Sequence, residues 1–147
     1  MPAFTPDPAD AALIAGFEGQ TLTHVEWSHR AHVRMAYLYV RLLGYEEGLK
    51  RFRDGVQKLN AVHKVPESPV RGYNETTTVA FMRIMAATVA AYEPEMPTTS
   101  SEQFCDLHTQ LMTKHIMRLY YTPGRRMDPR AKYEFVEPDL APLPQPV

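Results

Sequence analysis

The chain of 147 residues contains one cysteine, Cys105, so no intramolecular disulfide can staple it. Its stability must come from a packed core, and the cysteine usage fits a reducing compartment, with the cytoplasm as the expected location. It also lacks an excess of either charge: 16 basic and 17 acidic residues leave a formal net charge of -1. A nucleic-acid partner is therefore not expected, because that needs a basic stripe or a net basic domain. No apolar run is long enough to cross a bilayer, so no membrane partner is expected. The start, MPAFTPDPADAAL, has neither a basic leader nor a long apolar run, which argues against a signal peptide. There is no internal repeat, no glycine-rich phosphate loop and no H-E-x-x-H motif. The paired Glu and Glu-x-x-His pattern of a di-iron bundle is missing too, which disfavours a di-iron oxidase.

What the chain does have is helical periodicity along most of its length. Asp7 followed by Pro8 predicts a short first helix with Leu13, Ile14 and Phe17 on its apolar face, ending near Gly19. Thr23 and Glu26 fit a capping box at the start of a central helix that Gly44 would end. Tyr45 to Val62 reads as a third helix, with Leu49, Phe52, Val56 and Leu59 inward and Lys50, Arg51, Arg53 and Lys58 on a solvated face. Asn74 can cap a fourth, Asn74 to Tyr92, rich in alanine and methionine. Ser100 can cap a fifth, followed by a helical piece from Lys114 to Tyr121. The fold class is all-α: one compact bundle of about five helices with an extended, proline-rich C-terminal strap that carries Phe135, Val136 and Leu140. A single domain spans 1–147, with loose tails at about 1–6 and 141–147.

The candidate site lies on the central helix, Thr23 to Leu43. At 100° per residue, Val25, His29, His32, Val33, Ala36, Val40 and Leu43 share one stripe, with Arg30, Arg34 and Arg41 on a flank expected to face solvent. His29 and His32 are three residues apart, which places their rings one turn apart on one face. A buried imidazole must find hydrogen-bond partners. Two readings follow. In one, the histidines are a core polar network. In the other they are half of a site, with Glu75 at the start of the Asn74 helix as the nearest carboxylate. His29, His32 and Glu75 would then hold a divalent metal such as zinc or iron, or act without metal as acid/base groups. His108 could join from an opposing helix. Arg125, Arg126 and Arg130 could hold an anion, although a solvated turn is the simpler reading. Cys105 carries no sign of nucleophilic activation.

The segments WSHRAHVRMA (Trp27 to Ala36), GYNETTT (Gly72 to Thr78) and YYTPGRRMDPRAKYEFVEPDLAPLP (Tyr120 to Pro144) resemble a family of short bacterial helical proteins, most without an assigned reaction. That family pairs a tryptophan/two-histidine segment with a histidine-glutamate-threonine segment. The resemblance implies His29, His32 and Glu75 as site positions. Asn74 stands where the family's further histidine would be, so that position does not supply a third imidazole here. The functional expectation is a small-molecule enzyme with a histidine/carboxylate site. The alternative is a non-catalytic domain that binds a small ligand or a protein partner, with the same residues as a packing network.

Overall fold

The computed structural model describes residues 3–145. It is all-helical, and its six helices are α1 (Pro8–Glu18), α2 (His29–Val62), α3 (Glu75–Tyr92), α4 (Ser101–Leu107), α5 (Pro123–Arg126) and α6 (Pro129–Tyr133), with single 3-10 turns at Thr109–Met112 and Ile116–Leu119. The described residues form no strand beyond one isolated bridge between Ser68 and Arg71. No helix among them is long and apolar enough to cross a membrane. The core runs between α2 and α3, where Met35, Ala36, Leu38, Phe52, Leu59, Met82 and Met85 are buried together.

The Thr23–Glu26 capping box forms, with Glu26 N–H donating to Thr23 Oγ1 (3.1 Å) and Thr23 N–H to Glu26 Oε1 (2.8 Å). It closes only one turn, however. Ser28 resets the chain, its hydroxyl accepting from Ala31 N–H at 3.1 Å, and α2 begins at His29. Val25 therefore lies outside the helix and is 87% exposed rather than part of the buried stripe. Gly44 does interrupt the helix, at φ 80 and ψ 178, but it bends α2 instead of ending it. That backbone conformation is open only to glycine. The two arms of α2, residues 29–43 and 45–62, thus form one kinked element, and both face α3.

The arginine flank was expected in solvent and is instead tied down. Arg34 reaches the fully buried Asp10 of α1 (3.3 Å), whose carboxylate also accepts from Ser101 N–H (2.9 Å). Arg41 pairs with the buried Glu93 at 2.7 Å, and Glu93 also accepts from Thr98 N–H and its hydroxyl. Arg30 bridges to Glu102 and Asp106 at the surface. Burying a carboxylate is costly without charge-assisted partners, so Asp10 fixes where α1, α2 and α4 meet and Glu93 fixes the end of α3 against α2.

The strap is sewn to α3. Thr76 hydroxyl donates to Glu134 O and accepts from Val136 N–H, and Tyr121 hydroxyl donates to Val136 O at 2.7 Å. Val136 is buried and Phe135 partly so, whereas Leu140 is 55% exposed and does not join the core. Of the expected loose tails, residues 1, 2, 146 and 147 lie outside the described residues. Within the described part, Phe4 packs on Tyr37 (ring centroids 5.6 Å apart) and Leu143 is buried. The helical piece expected from Lys114 to Tyr121 is replaced by a single 3-10 turn, Ile116–Leu119, and His108 (φ -110, ψ 63) is where the α4 geometry ends.

Candidate functional site

A cavity of about 370 Å³ opens between the two arms of α2, the start of α3 and the irregular segment after α4. Phe52, Val56, Phe81, Ile116 and Met117 form its apolar wall, with Phe52 and Phe81 5.9 Å apart. His29, His32, Asn60, Tyr73, Asn74, Thr77, Thr78 and Lys114 supply its polar atoms. No carboxylate lines it.

The two histidines are brought together as expected, and each is oriented by a backbone carbonyl. His29 Nε2 lies 2.8 Å from Leu111 O, and His32 Nδ1 lies 2.7 Å from Ser28 O. A carbonyl oxygen only accepts, so these nitrogens carry the protons. The nitrogens left over, Nδ1 of His29 and Nε2 of His32, hold lone pairs and have no partner among the described residues. The His32 ring is clamped by Trp27, stacked at 3.9 Å and 28°. Burial is the main cause that holds its pKa down at about 4, aided by the nearby His29 and Lys114 and opposed by the Ser28 carbonyl bond. His32 is therefore neutral at neutral pH, a hydrogen-bond acceptor and a weak base.

Glu75 is not brought to the histidines. Its carboxylate takes a two-pronged ion pair from Arg53 of the second arm of α2 (2.9 and 2.7 Å) and the Tyr73 hydroxyl at 2.6 Å. Arg53 was expected on a solvated face. Its hydrogen bonds to Glu75 instead raise its pKa further. Burial and the bond to Glu75 push the Tyr73 phenol up to about 12, so Tyr73 keeps its proton and donates it in the hydrogen bond to Glu75. Glu75 thus meets the cavity at one remove, through Tyr73, which lines it.

This placement decides how a metal would fit. Among the described residues, no three His, Cys, Asp or Glu are gathered into a set that could hold a metal ion. His29 and His32 supply two imidazoles, but a stable catalytic site usually takes three protein ligands. Asn74 does not make up the difference, because its Oδ1 caps α3 by accepting from Thr77 N–H at 2.8 Å.

The other candidates sit elsewhere. His108 is buried against Tyr92 and Phe104, with Nε2 unpartnered, and does not line the cavity. His115 is exposed. Cys105 is buried with its thiol pushed up to about 11 by burial, which removes it as a nucleophile. His63 caps the end of α2 and donates Nε2–H to Leu22 O at 2.8 Å.

The sequence offers Tyr73 only as one of five tyrosines with a possible donor hydroxyl, beside Tyr37, Tyr39, Tyr120 and Tyr121, and does not single it out; it gives no sign of Lys114 as a cavity residue. Tyr73 is placed by the loop before α3, where Glu67 accepts from Tyr73 N–H (3.1 Å) and from Lys132 Nζ (3.0 Å). Gly72, at φ 89, lies so close to the Glu67 carboxylate that any side chain would collide with it. The glycine beside Tyr73 was the available signal. Lys114 sits in the non-helical stretch between the 3-10 turns, which carries no periodicity to read.

No family model, curated protein or solved structure matches the chain.

Proposed function

We propose that the chain binds a small, largely apolar molecule in the α2–α3 cavity and recognises a hydrogen-bond donor on it through His29 and His32. One observation carries this reading. Two imidazoles, each anchored through one nitrogen by a backbone carbonyl, leave lone pairs at a cavity without a carboxylate. The volume of about 370 Å³ is within the range of ligand pockets, and a mostly apolar lining with a few convergent polar atoms is their usual make-up. Lone pairs without hydrogens suit a hydroxyl, an amine or an azole N–H.

Proton transfer within the same site is the enzymatic form of the proposal. His32, held near pKa 4, is a weak proton abstractor at neutral pH, since the best general base has a pKa near the working pH. Its neutral ring is better suited to orienting a donor. Metal binding is a second reading, favoured by the anchored imidazoles, because metal-bound histidines generally donate their other nitrogen to a carbonyl or carboxylate. It requires the bound molecule to complete the ligand set.

Trp27 is the only tryptophan and stacks on His32, so its fluorescence reports the site directly. The test compares 4-ethylphenol with 4-ethylanisole, which lacks the donor. The phenol should bind about tenfold more tightly, the value of one good hydrogen bond. His32→Phe should remove that preference, and Val56→Phe, which fills the cavity, should abolish binding of both. Equal affinity of the two probes for the unmodified chain would refute donor recognition. Failure of both to bind would refute the pocket itself.

A further inference from the structure

A second cavity of about 240 Å³ adjoins the first. Gly72, Asn74 and Thr77 line both, so the first turn of α3, its cap Asn74 and the glycine two positions before the cap form a shared wall. The remaining lining of the second cavity is different in kind: Arg71, Arg126, Asp128 and Lys132 beside the loop residues Pro69 and Val70.

The charges in this cavity divide into those that are occupied and those that are free. Lys132 Nζ is occupied by three acceptors, Glu67 Oε2 (3.0 Å), Arg71 O (2.6 Å) and Tyr73 O (2.8 Å). Asp128 is occupied as the cap of α6, accepting from Arg130 N–H at 2.9 Å. The guanidinium groups of Arg71 and Arg126 have neither an ion pair nor a hydrogen bond among the described residues, although the other arginines of neighbouring segments, Arg125 and Arg130, do. Arg125, Arg126 and Arg130 were singled out in the sequence as one basic turn. The fold separates them, and only Arg126 is left facing this cavity.

We infer that the ligand of the α2–α3 cavity is an amphiphilic oxyanion, whose apolar body lies against Phe52 and Phe81 and whose phosphate or carboxylate lies between Arg71 and Arg126. This rests on the pocket reading above and specifies its ligand class. The two cavities together give a site with an apolar half and a cationic half, and no carboxylate in the apolar half to repel the anion. Lys114 adds a further positive charge at the wall of the first cavity. Arginine is suited to this role because its planar fork meets an oxyanion through two parallel N–H donors. Asn74 spans the division: its Oδ1 is committed to the helix cap, which leaves its amide N–H groups as donors on the shared wall.

The test extends the phenol probe by one charged group. Binding of 2-(4-hydroxyphenyl)ethyl phosphate, 3-(4-hydroxyphenyl)propionate, 4-ethylphenol and inorganic phosphate to the full chain is followed by Trp27 fluorescence and calorimetry. The two anionic probes should bind about tenfold more tightly than 4-ethylphenol, the effect of one to two charge-assisted hydrogen bonds. An Arg71→Gln/Arg126→Gln variant should lose that advantage and keep its affinity for 4-ethylphenol. Neither guanidinium makes a bond within the protein, so the variant should unfold at the same temperature as the parent. If the anionic probes gain nothing, or the double variant retains the gain, the oxyanion assignment is overturned while the pocket stands. Binding of inorganic phosphate as tight as that of the phosphate ester would overturn the joint site, since the apolar half would then contribute nothing. If 4-ethylphenol and the anionic probes all fail to bind, both readings fall together.

Discussion

His32 shows how a single residue can be set by its surroundings. Its ring is stacked on Trp27 and shielded from water, and burial favours the neutral form against the opposing pull of the bond to Ser28 O. The consequence for stability follows from the direction of the shift. The unfolded imidazole titrates at 6.5 and the folded one at about 4. Above pH 6.5 both states are neutral and the full stability is present. As pH falls from 6.5 towards 4, the unfolded chain takes up a proton that the folded chain refuses, and stability is lost. Urea unfolding across pH 4–7 should show this slope in the parent, and His32→Gln should lack that component. Parallel profiles for the two would show that His32 does not titrate between the states. Glu75 illustrates the opposite case, a residue whose neighbours give it a different task. The Arg53 fork and the Tyr73 hydroxyl satisfy its oxygens, so it orients Tyr73 at the cavity instead of facing the histidines.

At the scale of elements, the kink in α2 matters most. Gly44 puts residues 29–43 and 45–62 on different headings, so the first arm brings His29 and His32 and the second brings Phe52, Val56 and Asn60 to the same cavity. A β-carbon at Gly44 would meet nothing within 4 Å, so the need for glycine is one of backbone conformation alone. Gly44→Ala should therefore cost about 1–3 kcal/mol. Gly124→Ala, where the added carbon also meets nothing and φ is ordinary, should be close to neutral. Chemical denaturation of both variants checks the pair, and equal stabilities would show that the kink is not held by Gly44. Local signals were legible in this part of the chain: the Thr23–Glu26 box and the Asn74 cap both form, and Gly44 does break the regular helix. What they did not reveal was their consequence. A capping box closes a turn whether or not a helix follows, and a glycine at a helix break is equally consistent with a stop and with a bend.

Across the whole molecule, buried ion pairs fix how the helices cross. Asp10–Arg34 and Glu93–Arg41 sit where α1, the end of α3 and the start of α4 meet α2. Removing one partner of such a pair leaves a buried charge. Glu93→Ala should accordingly destabilise by about 3–5 kcal/mol. Arg30→Ala, which breaks only the half-exposed bridges to Glu102 and Asp106, should cost less than about 1 kcal/mol. Thermal and urea unfolding of the two variants would separate them, and similar losses would mean that burial is not what gives the Glu93 pair its weight.

The sequence by itself determined the all-helical class, the starts of α1, α3 and α4, and the placing of His29 and His32 on one face of one helix. Each of these depends on residues three or four positions apart, which the chain brings together wherever the helix goes. Only the tertiary structure decided the partners of the long polar side chains. Arg53 and Glu75 are 22 positions apart, and His29 and Leu111 are 82 apart. Arg53 and Glu75 meet where the second arm of α2 packs on the start of α3, and His29 meets Leu111 where the turn Thr109–Met112 packs on the first arm. A charged side chain on a helix surface takes whichever complementary group the packing presents first. For Glu75 that group was an arginine, and the cavity beside the histidines was left without a carboxylate.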